Sequence, residues 1–95
     1  MAIEARFIRI DNNAMTDEFQ MNTNQFHTGD IIDLTCWIVE DYYNEQAKDY
    51  EKIRKAHSNF YGLFTVVGIR HEVTVEEIIS TYFEYNAINI LIKPC

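Results

Sequence analysis

Apolar and charged side chains alternate at the start of the chain. Ile3, Ala5 and Phe7 are separated from one another by charged residues. A period of two residues is typical of a strand with one buried face, and the segment is short for a helix. We therefore predict a strand over residues 3–11.

The next segment lacks a clear period. Residues 16–26 are mostly polar, and Phe19, Met21 and Phe26 are isolated among them. Polar residues of this kind favour turns, while the scattered apolar side chains still need some cover. The pattern predicts either a short edge strand or a long ordered loop.

Residues 28–57 form a long run without proline and without a glycine beyond Gly29. At about 100° per residue, its apolar side chains gather on one broad face of a helix and its carboxylates on the other. The apolar face comprises Ile31, Ile32, Ile38, Val39, Tyr42, Tyr43, Tyr50 and Ile53, and the acidic face comprises Asp30, Asp33, Glu40, Asp41, Glu45 and Glu51. We predict one long amphipathic helix here, or two helices broken near Asn44.

A strand is the alternative for the first part of this run. Every second residue from Ile32 to Ile38 is apolar, and several of the neighbouring residues are β-branched. Such alternation is also what a half-buried strand requires, and periodicity alone does not separate the two structures. The helix is the preferred prediction, and the strand stays open.

Two strands are predicted in the second half of the chain. Residues 60–73 are rich in β-branched and aromatic side chains, which favours a central strand that is bulged or bent at Gly68. Residues 88–93 are mostly isoleucine and leucine and come directly before Pro94. Their length and β-branching predict a closing strand.

A second helix is predicted between these strands. Thr74 and Glu77 have the spacing of a capping box, in which the hydroxyl binds a free amide of the first turn and the carboxylate reaches back. Apolar residues then recur at helical spacing as far as Phe83. We predict an amphipathic helix that begins at Thr74 and ends near Asn86.

This order of elements predicts an α+β fold. Residues 1–95 would form a single two-layer domain, with a three- or four-stranded, mainly antiparallel sheet and two helices packed on one face. A chain of 95 residues suffices for one modest core, and its 47% hydrophobic content is far from the composition of disordered chains.

The compartment is predicted from the N-terminal residues and the cysteines. The first ten residues include Glu4, Arg6 and Arg9, which interrupt any apolar core of a signal peptide or membrane span. Cys36 lies in an apolar run and Cys95 is the last residue, a poor basis for a secreted disulfide scaffold. We expect a soluble cytoplasmic protein with reduced thiols.

The charge of the chain is concentrated in one segment. Between Arg9 and Lys48 there are eight carboxylates and no lysine or arginine, and the net charge of the whole chain is -7. These carboxylates, which we call the acidic stretch, are Asp11, Asp17, Glu18, Asp30, Asp33, Glu40, Asp41 and Glu45. Such a surface repels nucleic acid and anionic lipid and attracts basic proteins.

No set of residues forms a recognised catalytic, metal or cofactor motif. The candidates for chemistry are His27, Asp30, Asp33, Cys36, His57 and His71. His27 and Asp30 supply at most two metal ligands, and the glycines at 29, 62 and 68 make no phosphate-binding loop. The simplest interpretation of Cys36 is a small residue of the core. We predict no metal, no cofactor and no enzymatic activity.

Trp37 is the unusual residue of the predicted acidic helix face. At helical spacing its indole would lie among carboxylates, where it could serve as the anchor of a docking surface. The alternative is that another segment covers Trp37 as part of the core. On the first interpretation the predicted partner-binding residues are Asp30, Asp33, Trp37, Glu40, Asp41 and Glu45.

These features predict a non-catalytic binding protein. Its acidic face would occupy and inhibit a basic surface of a protein that handles nucleic acid. In type, although in no motif, the chain resembles the small acidic, tyrosine-rich inhibitors with which phages counter host defence. The alternative is a homo-oligomeric structural or regulatory module, a dimer for example, whose six tyrosines and open sheet edges form the interface. A small enzyme that uses His27, His57 or His71 is the least favoured hypothesis.

Overall fold

The chain forms a sheet of five strands. A computed structural model describes residues 3–95, so Met1 and Ala2, which the single-domain prediction includes, lie outside the described residues. The strands are β1 (Ile3–Arg9), β2 (Phe19–Met21), β3 (Ile31–Asn44), β4 (Asp49–Glu77) and β5 (Thr81–Pro94). No helix occurs among residues 3–95.

The strands are ordered β2-β1-β5-β4-β3 across the sheet. β1 pairs antiparallel with β2 and parallel with β5, in a register that runs from Ala5 opposite Ile88 to Arg9 opposite Ile92. β4 and β5 form a long antiparallel hairpin. The sheet is therefore mixed, and β2 and β3 are its two edge strands.

The prediction of an α+β fold with two helices on one face is wrong. The first predicted helix, residues 28–57, is instead β3, a turn and the first part of β4. Asn44 explains the reversal, because its side-chain oxygen accepts hydrogen bonds from the amides of Gln46 and Ala47 and so favours a tight turn. β-Branched and aromatic residues on both sides prefer extended backbone. The alternative prediction, a strand from Ile32 to Ile38, is confirmed.

The second predicted helix, residues 74–86, is also wrong. This segment contains the end of β4, a bend at residues 78–80 and the start of β5. The hydroxyl of Thr74 does not cap a helix but accepts a hydrogen bond from the side-chain amide of Asn86 on the opposite strand, at 2.8 Å. Here the helical spacing of apolar residues coincides with alternation along the end of β4 and the start of β5.

The remaining strand predictions are confirmed. β1 covers most of residues 3–11, β4 contains residues 60–73, and β5 contains residues 88–93. The bulge predicted at Gly68 is present, because the register of β4 against β5 shifts between Val66 and Gly68. The segment 16–26 contributes only the three residues of β2, with loops on either side.

The chain divides into two compact units. The first comprises residues 3–32 and Leu63–Cys95, and its core lies around β5, which has β1 on one side and β4 on the other. The buried apolar residues of this unit are Ala5, Phe7, Ile8, Phe64, Val66, Ala87, Ile88, Ile90 and Ile92. The C-terminal half of β5 is thus the centre of the core.

A polar network crosses the core of the first unit. The buried side-chain amide of Asn89 donates to Glu72 at 2.7 Å, and the guanidinium of Arg6 donates to the other oxygen of Glu72 at 3.3 Å. Arg6 also contacts Glu18 at 3.1 Å. Because buried polar groups are costly without partners, the bond to Glu72 offsets only part of the cost of burying Asn89, whose side-chain oxygen has no hydrogen-bond partner within residues 3–95.

The second unit, Asp33–Gly62, is a hairpin made from most of β3 and the first part of β4. Phe60 is its fully buried side chain, while most other residues of the hairpin are exposed or half-buried. We call this unit the aromatic hairpin, after Trp37 and its tyrosines. Both faces of a two-stranded ribbon meet solvent, so it buries little apolar surface by itself.

Candidate interaction surfaces

The acidic stretch is partly neutralised within the chain. Four of its eight carboxylates bind a partner. Asp11 pairs with Arg9 at 2.6 Å, Glu18 with Arg6 at 3.1 Å and Glu40 with Lys55 at 2.7 Å, and Asp30 accepts from the amide of His27 at 2.9 Å. The hydrogen bond from Arg9 holds the pKa of Asp11 below its ordinary value. The remaining four, for which residues 3–95 show no ion pair, are Asp17, Asp33, Asp41 and Glu45.

The six predicted partner-binding residues do not lie together on one helical face. Asp30 lies in the turn before β3, and Glu45 lies in the turn after it. Side chains alternate along a strand, so Asp33, Trp37 and Asp41 point to one face of β3 and Glu40 points to the other. The structure therefore brings three of the six to one side of an edge strand.

Trp37 is half-exposed, with 44% of its surface accessible. The guanidinium carbon of Arg54 lies 4.3 Å from the centre of its ring, a cation–π contact, and Tyr61 packs edge-on against it at 5.9 Å. Farther along the hairpin, Tyr43 and Tyr50 make a similar edge-on contact at 5.3 Å. A cation from β4 thus lies against the indole, a neighbour that the local sequence could not reveal.

Near the turn, the opposite face of the aromatic hairpin is polar. Glu51 accepts hydrogen bonds from the hydroxyl of Tyr42 at 2.7 Å and from the side chain of Asn44 at 3.0 Å. The first of these bonds, with the charge of Glu51, raises the pKa of Tyr42. The contact between Glu40 and Lys55 lies on the same side. These polar side chains bind one another, whereas the aromatic side chains of the other face remain exposed to solvent.

A second open surface lies at the far end of the β4–β5 hairpin. We call residues 73–86 the distal hairpin. Val73 pairs with Tyr85 and Val75 with Phe83 across the two strands, so all four side chains share one face. Phe83 is 61% exposed. The sequence prediction missed this face because it assigned the segment to a helix.

The other face and the tip of the distal hairpin differ from this apolar face. Thr74 pairs with Glu84 and Glu76 with Tyr82, which makes the second face polar and acidic. At the bend, Ile79 is 99% exposed. The whole hairpin contains three glutamates and no lysine or arginine. The distal hairpin is therefore amphipathic and negatively charged.

An apolar cleft of about 290 Å³ lies in the first unit. It is lined by Phe7, Phe19, Met21, Asn22, Thr23, Gln25 and Phe26. The rings of Phe19 and Phe26 each pack against Phe7, with centroids 5.4 and 5.5 Å away. The lining contains no ionisable side chain, so the cleft can hold an apolar group but offers no acid, base or nucleophile.

The histidines proposed for chemistry make separate local contacts. His27 lies 3.8 Å from Asp30 at an exposed turn, His57 accepts from the amide of Asn59, and His71 binds the hydroxyl of Tyr85. In the part of the chain that the structure describes, no three His, Cys, Asp or Glu residues converge as metal ligands. Cys36 and Cys95 are not joined by a disulfide.

Comparisons with protein-family models, with curated proteins and with solved structures find no match to this chain. Within residues 3–95 there is also no helix that could cross a membrane. The candidate functional sites are therefore the two open surfaces: the aromatic face of the aromatic hairpin and the apolar face of the distal hairpin.

Proposed function

We propose that this protein is a non-catalytic structural or regulatory module that assembles with copies of itself. The observation that carries the proposal is the uncovered apolar face of the distal hairpin, formed by Val73, Val75, Phe83 and Tyr85. Contiguous exposed apolar patches of this kind mark sites of association. A hairpin that extends with one apolar face in water gains stability when another surface covers it.

A second copy is the occupant that the tyrosines favour. All six tyrosines of the chain are exposed, and each lies in one of the two hairpins. Tyrosine is enriched at interfaces between proteins, and an apolar face that meets the same face of a second copy covers both faces at once.

Mass measurement over a range of concentrations tests this proposal. The wild type is expected to gain mass with concentration in light scattering or sedimentation. Phe83→Asp, which places a charge in the apolar face, should stay monomeric. The matched control is Tyr82→Asp, a similar change on the opposite face of the same hairpin, and it should assemble like the wild type. A wild type that stays monomeric at every concentration would refute the proposal.

A second candidate is inhibition of a basic, nucleic-acid-handling protein, of the type phages use against host defence. What supports it is the set Asp33, Trp37 and Asp41 on one face of the edge strand β3, where a half-exposed indole lies between two carboxylates. Glu40 contributes less to this surface, since it pairs with Lys55 on the other face. The neighbouring Arg54 also lowers the local negative charge.

Affinity capture at low and high salt tests this second candidate. A basic partner should be retained by the wild type and lost from a variant with Asp33→Asn and Asp41→Asn. Glu40→Gln is the control, because this carboxylate lies on the opposite face and should be dispensable. If the double variant retains the same proteins as the wild type, the acidic docking surface does not exist.

A further inference from the structure

Local contacts hold the walls of the apolar cleft in place. The side-chain oxygen of Asn24 accepts a hydrogen bond from the amide of Phe26 at 3.0 Å, which favours the turn that carries this ring. The chain that follows is anchored to β4, because the amide of Gly29 donates to the carbonyl of Val66 at 2.7 Å. The ring of Phe26 is thus held against Phe7 as one wall of a preformed cleft, and preformed walls are typical of small-molecule sites.

The polar side chains of the cleft are available to a bound molecule. Asn22, Thr23 and Gln25 belong to the lining and are exposed, and their side chains make no hydrogen bond to one another or to the rest of residues 3–95. Each of the three can both donate and accept a hydrogen bond. A ligand can therefore bind these side chains without displacing a contact that the described part of the chain already makes.

The cleft is also neutral, although the chain is strongly acidic. The net charge of the chain is -7, yet the lining contains no carboxylate and no cation. An ion that enters an apolar space loses its water and gains no opposite charge there, which is costly. The lining therefore favours a molecule with an apolar body and an uncharged polar group.

We propose that this cleft binds a small, uncharged aromatic molecule that carries an amide or a similar hydrogen-bonding group. Its ring packs against the phenylalanines and Met21, because contacts between rings and between sulfur and a ring are favourable. The cleft volume of about 290 Å³ is near the lower end of the roughly 300–1,000 Å³ range of ligand sites, so the molecule is about as large as an indole. The proposal is independent of self-assembly, since the lining residues lie outside both hairpins.

Three indoles of different charge test the site in the wild-type protein. Indole-3-acetamide is neutral, indole-3-acetate is an anion and tryptamine is a cation, while all three carry the same ring. Titration followed by NMR should show saturable shifts of the Met21 methyl signal and of the Phe19 and Phe26 ring signals with the neutral amide. At these signals the two charged indoles should bind at least about tenfold more weakly, because each leaves an unpaired charge against the lining.

Variants of the cleft distinguish its wall from its polar side chains. Phe26→Ala removes part of the wall and should weaken both indole-3-acetamide and unsubstituted indole. Asn22→Ala with Gln25→Ala removes two amides and should weaken indole-3-acetamide by about 2- to 10-fold, the effect of a lost hydrogen bond, while indole binds as before. The matched control is Gln20→Ala, because Gln20 lies on the opposite face of β2 and binds Glu4. It should bind both molecules like the wild type.

Three results would overturn the proposal. The first is a wild type in which indole-3-acetamide causes no saturable shift at Met21, Phe19 and Phe26. The second is equal binding of the neutral and the charged indoles at these signals. The third is unchanged affinity for both neutral molecules in Phe26→Ala, which would place their binding elsewhere. Circular dichroism of each variant confirms that the fold is intact, and the comparison of the three indoles needs no variant.

Discussion

The two halves of β5 both contain large apolar side chains but are opposite in burial. Its second half contains Ala87, Ile88, Asn89 and Ile90, all buried, and Ile90 is completely inaccessible to solvent. Its first half, residues 81–86, contains two tyrosines and a phenylalanine, and every side chain in it is exposed. The same strand therefore belongs to a core at one end and to an open hairpin at the other.

The difference lies in the number of neighbouring strands. From Ile88 to Ile92, β5 has β1 on one side and β4 on the other. In residues 81–86 it pairs with β4, and the β1 register does not extend to them. Burial in β5 thus follows the number of flanking strands, and the exposed apolar face of residues 81–86 lies where a flanking strand is missing on one side.

The largest expected effect comes from truncating one side chain in the buried half of β5 and one in the bend that precedes the strand. Ile90→Ala should lower the free energy of unfolding by about 2–5 kcal/mol, because a fully enclosed side chain leaves a cavity. Ile79→Ala, at the 99% exposed bend, should change it by less than about 0.5 kcal/mol. Chemical denaturation of a variant kept monomeric by Phe83→Asp measures both. Equal losses at the two positions would contradict the comparison.

Two asparagines of β5 give the next largest contrast. Asn89 is fully buried and donates to Glu72, whereas Asn86 is exposed and donates to Thr74. Asn89→Ala should cost about 1–3 kcal/mol, because it removes a hydrogen bond from the core and empties part of its volume. Asn86→Ala should cost less than about 0.5 kcal/mol. The midpoint of urea unfolding reports both, and a reversed order would show that the polar network is dispensable.

The smallest expected effect concerns an exposed contact with good geometry. The Arg9 hydrogen bond lowers the pKa of Asp11 from its ordinary 3.8, so the contact stabilises the fold above that pH. This contribution should be lost as the pH falls through the lowered pKa of the folded state. Asp11→Asn should remove it with only a slight loss of stability at neutral pH, because exposed pairs are weak.

Thermal unfolding of the Asp11→Asn variant from neutral to acidic pH measures this dependence. The control is Asp17→Asn, since Asp17 is also exposed but makes no ion pair within residues 3–95. The control should follow the acid dependence of the wild type, while Asp11→Asn should depend less on pH in the acidic range. Identical curves for all three proteins would mean that the Arg9 contact does not persist in solution.

Three strand segments could be predicted because their sequence patterns fit a strand better than a helix. Alternation of charged and apolar residues defined β1, and dense β-branching defined the central part of β4 and the end of β5. The two predicted helices failed because tyrosines and isoleucines on both sides of a short turn also satisfy a period of 3.6 residues. A stronger weight for β-branched and aromatic residues in residues 31–43 would have favoured the strand.

The surfaces were harder to predict because they depend on distant partners. Glu40 contributes little free charge because Lys55 lies next to it, and Trp37 contacts Arg54 and Tyr61. These neighbours exist only after β3 and β4 have paired in a particular register. The apolar face of the distal hairpin likewise requires the pairing of Val75 with Phe83, which a helix would separate.

The parallel pairing of β1 with β5 makes folding depend on a long-range contact. Ala5 faces Ile88, so the core joins two segments that are far apart in the sequence. Contacts so distant in sequence slow the folding reaction, since the chain loses much freedom before they form. We expect the two hairpins to form first and the pairing of β1 with β5 to follow. Phe7 and Ile8 then stay uncovered until this late step, and an intermediate with such exposed apolar side chains is prone to aggregate.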